Sequence, residues 1–392
     1  FIARDRTARC CVRPWRNARA RAAAREGCPV ARGRAEHNPH GQGVAPDNNG
    51  VAAFPRLAYP AVRDVGTGRT RTSAALRGPG AQTACCRRCR RPPYAVCAAS
   101  GGSNLFHYCA YGLQIACEFE CPELLPGSDR VDVLIRRAEV PQSLLREPDP
   151  AEPAAGAFQS VDDTVLLRIH GQAAFLIRGG REILVEPAAG TDADSWRIFL
   201  LGSAMGALLF QRGWLPIHGS GLRGEHGAFV ITGEQGAGKS TLAAVLQRRG
   251  LEVLSDDVCA VDALGPEGPL LHPAYPRLHL REDVLAATGA DPRRLRPSRK
   301  LIPKLALDVE DAFAREPARL RAIFLLQGDS EVMGHRELDP LERAAAVIES
   351  TYRGAFVRPM NLLESHFRQA VEVARHCRVV RIWRPRDLRD LE

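Results

Sequence analysis

The sequence predicts an α/β protein in which a small β-rich region precedes a sheet with flanking helices. Short apolar runs such as Ala228–Thr232 and Ala322–Leu326 suit buried strands, and they alternate with segments of helical periodicity such as Leu341–Ser350 and Met360–Cys377. Paired glycines at Gly179–Gly180 separate two further apolar runs, as in a hairpin turn. With 392 residues, 45% of them hydrophobic, the chain can hold two or three domains with buried cores.

Residues 1–102 form the first predicted division of the chain. They contain 19 Arg against 5 Asp plus Glu and show neither helical nor strand periodicity. We interpret them as a disordered tail or a translated upstream extension, with the true start near Val96 or Leu105. A basic arm that binds acidic partners is the alternative. Because the whole chain carries +9, residues 103–392 carry −5, so the charge does not indicate nucleic-acid binding.

Cysteine usage and hydropathy indicate a cytoplasmic protein. Cys86-x-x-Cys89 has half of a zinc-site spacing without a second pair at the usual distance, and the five cysteines after residue 102 are scattered as reduced thiols usually are. No signal peptide is evident, because the Arg-rich start lacks a continuous apolar stretch. The most hydrophobic run, Ile198–Phe210, is too short to span a bilayer and predicts a buried helix.

Residues 103–190 are predicted to form the small β-rich region, and residues 191–392 the larger domain. A helix from about Asp192 to Arg212 is expected to link the two. The predicted strands of the first region are Tyr108–Phe119, Val131–Ile135, Val165–Ile169, Ala173–Ile177 and Ile183–Glu186. The predicted strands of the second are Ala228–Thr232, Leu251–Leu254, Val258–Val261, Leu270–Leu280, Ala322–Leu326 and Val379–Ile382.

A phosphate-binding loop of the form G-x-x-x-x-G-K-[ST] follows the strand Ala228–Thr232 and precedes a predicted helix, Ser240–Arg249. In such a loop the backbone N–H groups and the helix dipole hold an anion, the lysine bridges the outer phosphates and the serine hydroxyl reaches Mg²⁺. Lys239 is one of only three lysines beside 51 arginines, which makes the match more telling. The expected nucleotide contacts are Gly233, Glu234, Gln235, Gly236, Ala237, Gly238, Lys239, Ser240 and Thr241.

Two adjacent carboxylates, Asp256 and Asp257, are predicted to end the strand that follows the loop helix. At that position they would face the phosphates and a metal ion. One could hold Mg²⁺ while the other accepts a proton from a hydroxyl group. The alternative is that they cap a helix or a turn.

The spacing of these motifs resembles the HPr serine kinase/phosphorylase family, whose kinase domain is related to phosphoenolpyruvate carboxykinase. His218-Gly219 lies 21 residues before the loop lysine, and Asp257 lies 18 residues after it. The resemblance implies a P-loop kinase core with His218, Lys239 and Asp257 as catalytic residues and with Ser240 and Asp256 at the metal. It also implies that Arg299, Lys300 or Lys304 touches the transferred phosphate.

Within that family, the chain looks more like the shorter HPr-kinase-like bacterial serine kinases, including those associated with lasso-peptide precursors. Its loop lacks the Asp-Ser pair that HPr kinases usually carry. The stretch Tyr275–His279 stands where a Glu-Ile-Arg-Gly segment would add a carboxylate to the metal site. HPr as substrate and a reverse phosphorylase activity are therefore not implied.

The expected function is transfer of the γ-phosphoryl group from ATP, with Mg²⁺, to a serine of a small protein or peptide. An ATP-binding sensor and a small-molecule kinase are the alternatives. The missing Asn-Lys-x-Asp motif argues against a GTPase, because Asn precedes none of the lysines. Neither a nucleic acid nor a membrane is an expected partner, and self-association is left open.

Overall fold

The computed structural model describes residues 105–144, 158–297, 304–328 and 330–385. The predicted extension 1–102 lies outside these residues. The helices of the described part are α1 (Ala193–Phe199), α2 (Met205–Gln211), α3 (Lys239–Arg248), α4 (Leu285–Thr288), α5 (Pro340–Glu349) and α6 (Leu363–His376). None of the helices described is both long and apolar enough to cross a membrane.

The first sheet has eight strands in the order β3-β1-β2-β4-β8-β7-β6-β5. Its strands are β1 (Phe106–Ala110), β2 (Leu113–Cys117), β3 (Leu125–Pro126), β4 (Val133–Arg137), β5 (Phe158–Val161), β6 (Thr164–Ile169), β7 (Ala173–Arg178) and β8 (Glu182–Pro187). The predicted hairpin at Gly179–Gly180 is confirmed, since both glycines have positive φ and join β7 to β8. Tyr108–Phe119 is instead broken at Tyr111–Gly112, whose positive φ angles turn the chain between β1 and β2.

The second sheet has seven strands in the order β10-β9-β11-β12-β16-β18-β17. They are β9 (Leu215–Gly224), β10 (Gly227–Gly233), β11 (Glu252–Asp262), β12 (Leu270–His272), β16 (Ala318–Gln327), β17 (Gly334–Glu337) and β18 (Arg378–Trp383). Strand β16 pairs with β12 and also with β10, so five of the strands close into a ring. Strands β10, β16 and β18 are parallel to one another, whereas the other pairs in this sheet are antiparallel.

The third sheet is small and has the order β13-β15-β14. It consists of β13 (Arg277–Arg281), β14 (Leu295–Pro297) and β15 (Lys304–Asp308). The predicted strand Leu270–Leu280 is therefore wrong as a single element. Its two ends belong to different sheets, because Pro273 and Pro276 interrupt the backbone pairing between them.

The predicted helix from Asp192 to Arg212 is confirmed as one continuous helical run with an irregular middle. Between α1 and α2, residues Leu200–Ala204 form a π-helical stretch, and all five are buried. This run packs against the first sheet through large side chains such as Trp196 and Leu200. The same core includes Val258 and Tyr352, so it extends from the first sheet to elements that follow much later in the chain.

Helix α3 lies between the second and third sheets. Its residues Ala243 and Ala244 are buried in one cluster with Ile231 of the second sheet and Leu278 of the third. Small residues on this face let the two sheets approach the helix closely. The start of α3 is thereby fixed at the carboxyl end of β10, where the phosphate-binding motif lies.

Candidate functional site

The phosphate-binding motif forms the turn between β10 and α3, as the sequence predicts. Its glycines Gly233, Gly236 and Gly238 have φ angles of 142°, 81° and 91°, which other residues rarely adopt. At Gly233 a side chain is also excluded by contact, because its Cβ would overlap the carbonyl oxygen of Leu326. Residues 234–236 are exposed, whereas Thr241 is buried in the first turn of α3.

Lys239 and Ser240 occupy the first turn of α3, where the motif requires them. The Lys239 ammonium donates hydrogen bonds to the carbonyl oxygens of Gly233 and Glu234, at 3.0 and 3.1 Å. Burial lowers the pKa of Lys239, although the neighbouring carboxylates oppose that shift. Neutral carbonyl oxygens are weaker acceptors than anionic ones. The ammonium can therefore exchange these hydrogen bonds for bonds to an anionic ligand with little loss of free energy.

Asp256 is a buried carboxylate, 3% exposed, with four polar contacts. Its Oδ1 accepts hydrogen bonds from the hydroxyls of Ser220, at 2.6 Å, and Ser240, at 2.9 Å. Its Oδ2 accepts the backbone N–H of His279 at 2.8 Å and lies 3.5 Å from the Nδ1 atom of the same residue. Burial alone would raise the pKa of this carboxyl, but the contacts with His279 and Ser220 lower it, which keeps Asp256 ionised.

Asp257 differs from its neighbour because its side chain is 47% exposed. The Nδ1 atom of His218 lies 3.3 Å from the Oδ1 atom of Asp257 and 3.1 Å from its carbonyl oxygen. Loss of water around Asp257 would raise the pKa of its carboxyl, but the His218 contact and the charges of His279 and Lys304 lower it below its usual value. Asp257 therefore presents an ionised oxygen that solvent can reach.

The expectation that the two aspartates end a strand is wrong. Both lie inside β11, which continues to Asp262 because β9 pairs with it as far as Val261 and β12 pairs with its last residues. The strand is irregular there: its register shifts between Val253 and Ser255, and Asp257 has a φ of 71°. A positive φ is tolerated by Asp but strains the backbone, and such strain is common at functional sites.

Strands β10, β9 and β11 bring the predicted residues together. Thr232, just before the loop, donates its hydroxyl to the carbonyl oxygen of His218 at 2.8 Å. In the β9–β11 ladder, Asp257 is opposite Gly219 and Asp256 is opposite Ser220. The loop, the histidine and both carboxylates thus lie on three neighbouring strands.

Tyr352 lies against His218 and close to Asp257. Its ring centroid lies 5.8 Å from that of His218, and its hydroxyl would be 2.9 Å from a Cβ added at Gly202 in the π-helical stretch. The same added Cβ would be 3.9 Å from the Oδ2 atom of Asp257. Gly202 therefore leaves room for the tyrosine beside the carboxylate, and burial raises the pKa of Tyr352.

The predicted basic residues after the core are only partly described. Arg299 and Lys300 lie outside the described residues. Lys304 begins β15 and is exposed, and its charge lowers the pKa values of Lys239 and Asp257. Lys239 and Lys304 therefore both interact electrostatically with the carboxylate of Asp257.

Sequence reasoning missed His279 and Ser220 as partners of Asp256. The stretch that ends at His279 carries no carboxylate, so the sequence indicates no role for it at the metal. Strand β13 pairs with β15, and this pairing across the third sheet gives no local signal in the sequence. Ser220 follows His218 by two residues on β9, so the period-two alternation of a strand could have placed both on one face.

The oxygen ligands fit a Mg²⁺ ion bound together with phosphate. Among the described residues, no group of three or more His, Cys, Asp or Glu side chains could hold a metal alone. Mg²⁺ is commonly held by one or two protein oxygens plus substrate phosphates and water. The Ser240 hydroxyl and the ionised Asp256 carboxylate, which are hydrogen-bonded to each other, supply protein oxygens of that kind.

No family model and no curated protein matches the sequence. Among solved structures, the chain is similar to the HPr(Ser) kinase/phosphatase from Coxiella burnetii, with 15% sequence identity and a TM-score of 0.24. The match covers 43% of this chain and 85% of that one. The structure itself shows a mixed α/β protein with large sheets. A TM-score this low carries no functional argument.

Proposed function

We propose that this protein is an ATP-dependent kinase that transfers the γ-phosphoryl group to a serine of a small protein or peptide. One observation carries the proposal. The Ser240 hydroxyl is hydrogen-bonded to the buried Asp256, and the next residue, Asp257, presents a second carboxylate that His218 holds at the surface. Protein kinases use two carboxylates in this way, one at the metal and one beside the attacking hydroxyl.

The loop would bind the phosphates of ATP. Its glycines allow the backbone to approach the anion, and the N-terminus of α3 supplies N–H groups and a favourable dipole. Lys239 would exchange its carbonyl contacts for phosphate oxygens, which are stronger acceptors. Mg²⁺ held at Ser240 would neutralise part of the phosphate charge.

Asp257 would act on the acceptor. As the serine oxygen bonds to the γ-phosphorus, the bond from that phosphorus to the β–γ bridging oxygen breaks and ADP leaves with the electron pair. The serine proton passes to the Asp257 carboxylate. A carboxyl with a lowered pKa is a weak base, yet this suffices because the hydroxyl loses its proton late in a loose transition state.

His218 would keep Asp257 in position. Its Nδ1 lies near both the carbonyl and the carboxylate oxygen of Asp257. The exposure of this pair lets a hydroxyl carried by a protein or a peptide approach from solvent. This accessibility supports a macromolecular acceptor.

Phosphate transfer from labelled ATP to candidate serine peptides, followed by mass spectrometry, tests the proposal. Asp257→Asn should lower the rate by about 10²–10⁴-fold, the usual contribution of a proton acceptor, while the fold remains intact because Asn tolerates positive φ. Lys239→Ala should abolish transfer. Asp262→Asn, at the far end of β11, is the matched control and should retain full activity.

Three outcomes would count against the proposal. Phosphoserine formed by the wild type and by Lys239→Ala alike would refute the proposal. Nucleotide binding without any phosphorylated acceptor would indicate the ATP-binding sensor. ATP consumption with low-molecular-weight hydroxyl compounds, in the absence of protein acceptor, would indicate a small-molecule kinase.

A further inference from the structure

Arg384 lies at the phosphate-binding loop although it is 145 residues after Lys239. Strands β10, β16 and β18 are parallel, so their carboxyl ends meet at one edge of the second sheet. Leu326 pairs with Gly233 on one side and with Ile382 on the other. The residue that follows β18 is therefore brought beside the turn that follows β10.

The Arg384 guanidinium contacts the loop itself. Its Nη2 atom lies 3.4 Å from the carbonyl oxygen of Ala237 and would be 2.6 Å from a Cβ added at Gly238. Its backbone N–H donates to the carbonyl oxygen of Gln327 at 3.3 Å, which attaches this residue to the sheet. Gly238 therefore leaves the space that the guanidinium fills.

The donors of Arg384 are poorly used in this position. Among the described residues, its buried Nε has no hydrogen-bond partner, and its side chain makes no ion pair with a carboxylate. Its other contact is a hydrogen bond from Nη1 to the carbonyl oxygen of Pro385 at 3.2 Å. A buried guanidinium donor without an acceptor is costly, and an anion at the loop would supply that acceptor.

We propose that Arg384 is a phosphate-binding residue, which donates to a phosphate oxygen of the nucleotide held by residues 233–240. The planar fork of Arg presents two parallel N–H donors, which complement the point charge of Lys239. This inference rests on the nucleotide-binding half of the proposed function. It does not depend on which hydroxyl accepts the phosphoryl group.

Isothermal titration of the full chain with ATP and with inorganic tripolyphosphate tests this inference. Arg384→Gln should weaken the binding of both ligands by about tenfold or more, the usual effect of losing a hydrogen bond to a charged group. Arg384→Lys should bind both ligands more tightly than Arg384→Gln, because it keeps the charge. The control is Arg378→Gln at the opposite end of β18, about 20 Å away, where the arginine pairs with Glu337.

Equal affinity of Arg384→Gln and the wild type for tripolyphosphate would overturn the inference. If ATP binding weakens in Arg384→Gln but the wild type phosphorylates no acceptor, the kinase proposal fails and the role of Arg384 stands. If Arg384→Gln binds as the wild type does and the wild type phosphorylates a serine, the kinase proposal stands and the role of Arg384 is refuted. Thermal melting of each variant checks that the fold is retained.

Discussion

His366 provides a test of the fold that does not involve catalysis. It lies in α6 and is 2% exposed, and its Nε2 is 2.8 Å from the hydroxyl of Thr351. Its Nδ1 is buried and has no hydrogen-bond partner among the described residues. Burial therefore lowers the pKa of His366 from 6.5 to about 4, because the imidazolium form would be desolvated.

The sign of the pH effect follows from this difference. In the unfolded chain His366 takes up a proton below about pH 6.5, whereas in the folded protein it does so only near pH 4. The stability due to neutral His366 is fully present above pH 6.5 and is lost as the pH falls toward 4. The total loss is about 3 kcal/mol, and roughly 2 kcal/mol of it occurs by pH 5.

Urea unfolding of the wild type and of His366→Gln at pH 7 and pH 5 measures this loss. We expect the wild type to lose about 2 kcal/mol more than the variant between the two pH values. We expect the variant to be less stable than the wild type at pH 7, since the Thr351 contact is disturbed, but only the pH dependence is diagnostic. His226→Gln, in the exposed turn between β9 and β10, should behave as the wild type does. Equal pH dependence of the wild type and His366→Gln would refute the reasoning.

The remaining predictions concern the loop and the buried carboxylate. Gly233→Ala should lower the free energy of unfolding by about 3 kcal/mol or more, because its Cβ overlaps the carbonyl oxygen of Leu326, whereas Gly236→Ala, with open space around it, should cost about 1 kcal/mol. Equal thermal shifts would contradict this. Ser220→Ala should cost about 1.5–3 kcal/mol by urea unfolding at pH 7, because Asp256 loses a buried donor. An unchanged midpoint would show that the carboxylate does not need this hydroxyl.

Local signals in the sequence were sufficient to predict several elements of the fold. The glycines of the loop and of the turn at Gly179–Gly180 require positive φ, and both turns lie where the motif and the flanking apolar runs predict them. The helical run from Asp192 to Arg212 was predicted from hydrophobicity. Its π-helical middle was not, because hydrophobicity does not distinguish a π-helical stretch from an α-helix.

The parts of the site that depend on pairing between distant strands could not be predicted from the residues. Because β9 pairs with β11, the strand continues through Asp256 and Asp257, whereas the local sequence predicts that it ends there. His279 reaches Asp256 from the third sheet, and Arg384 reaches the loop from β18. The spacing of His218 and Asp257 was interpreted through a family resemblance, not through periodicity.

The pairing of β10 with β16 and of β16 with β18 also bears on when the loop can form during folding. Ala228 of β10 pairs with Leu320 of β16, and β16 must in turn pair with β18 before the carboxyl edge is complete. Contacts of such high sequence separation form late, because the intervening chain must first be closed into a loop at an entropic cost. On a ribosome, strand β10 and helix α3 would emerge well before their parallel neighbours. The proposed affinity for ATP is therefore expected only after β18 has been synthesised.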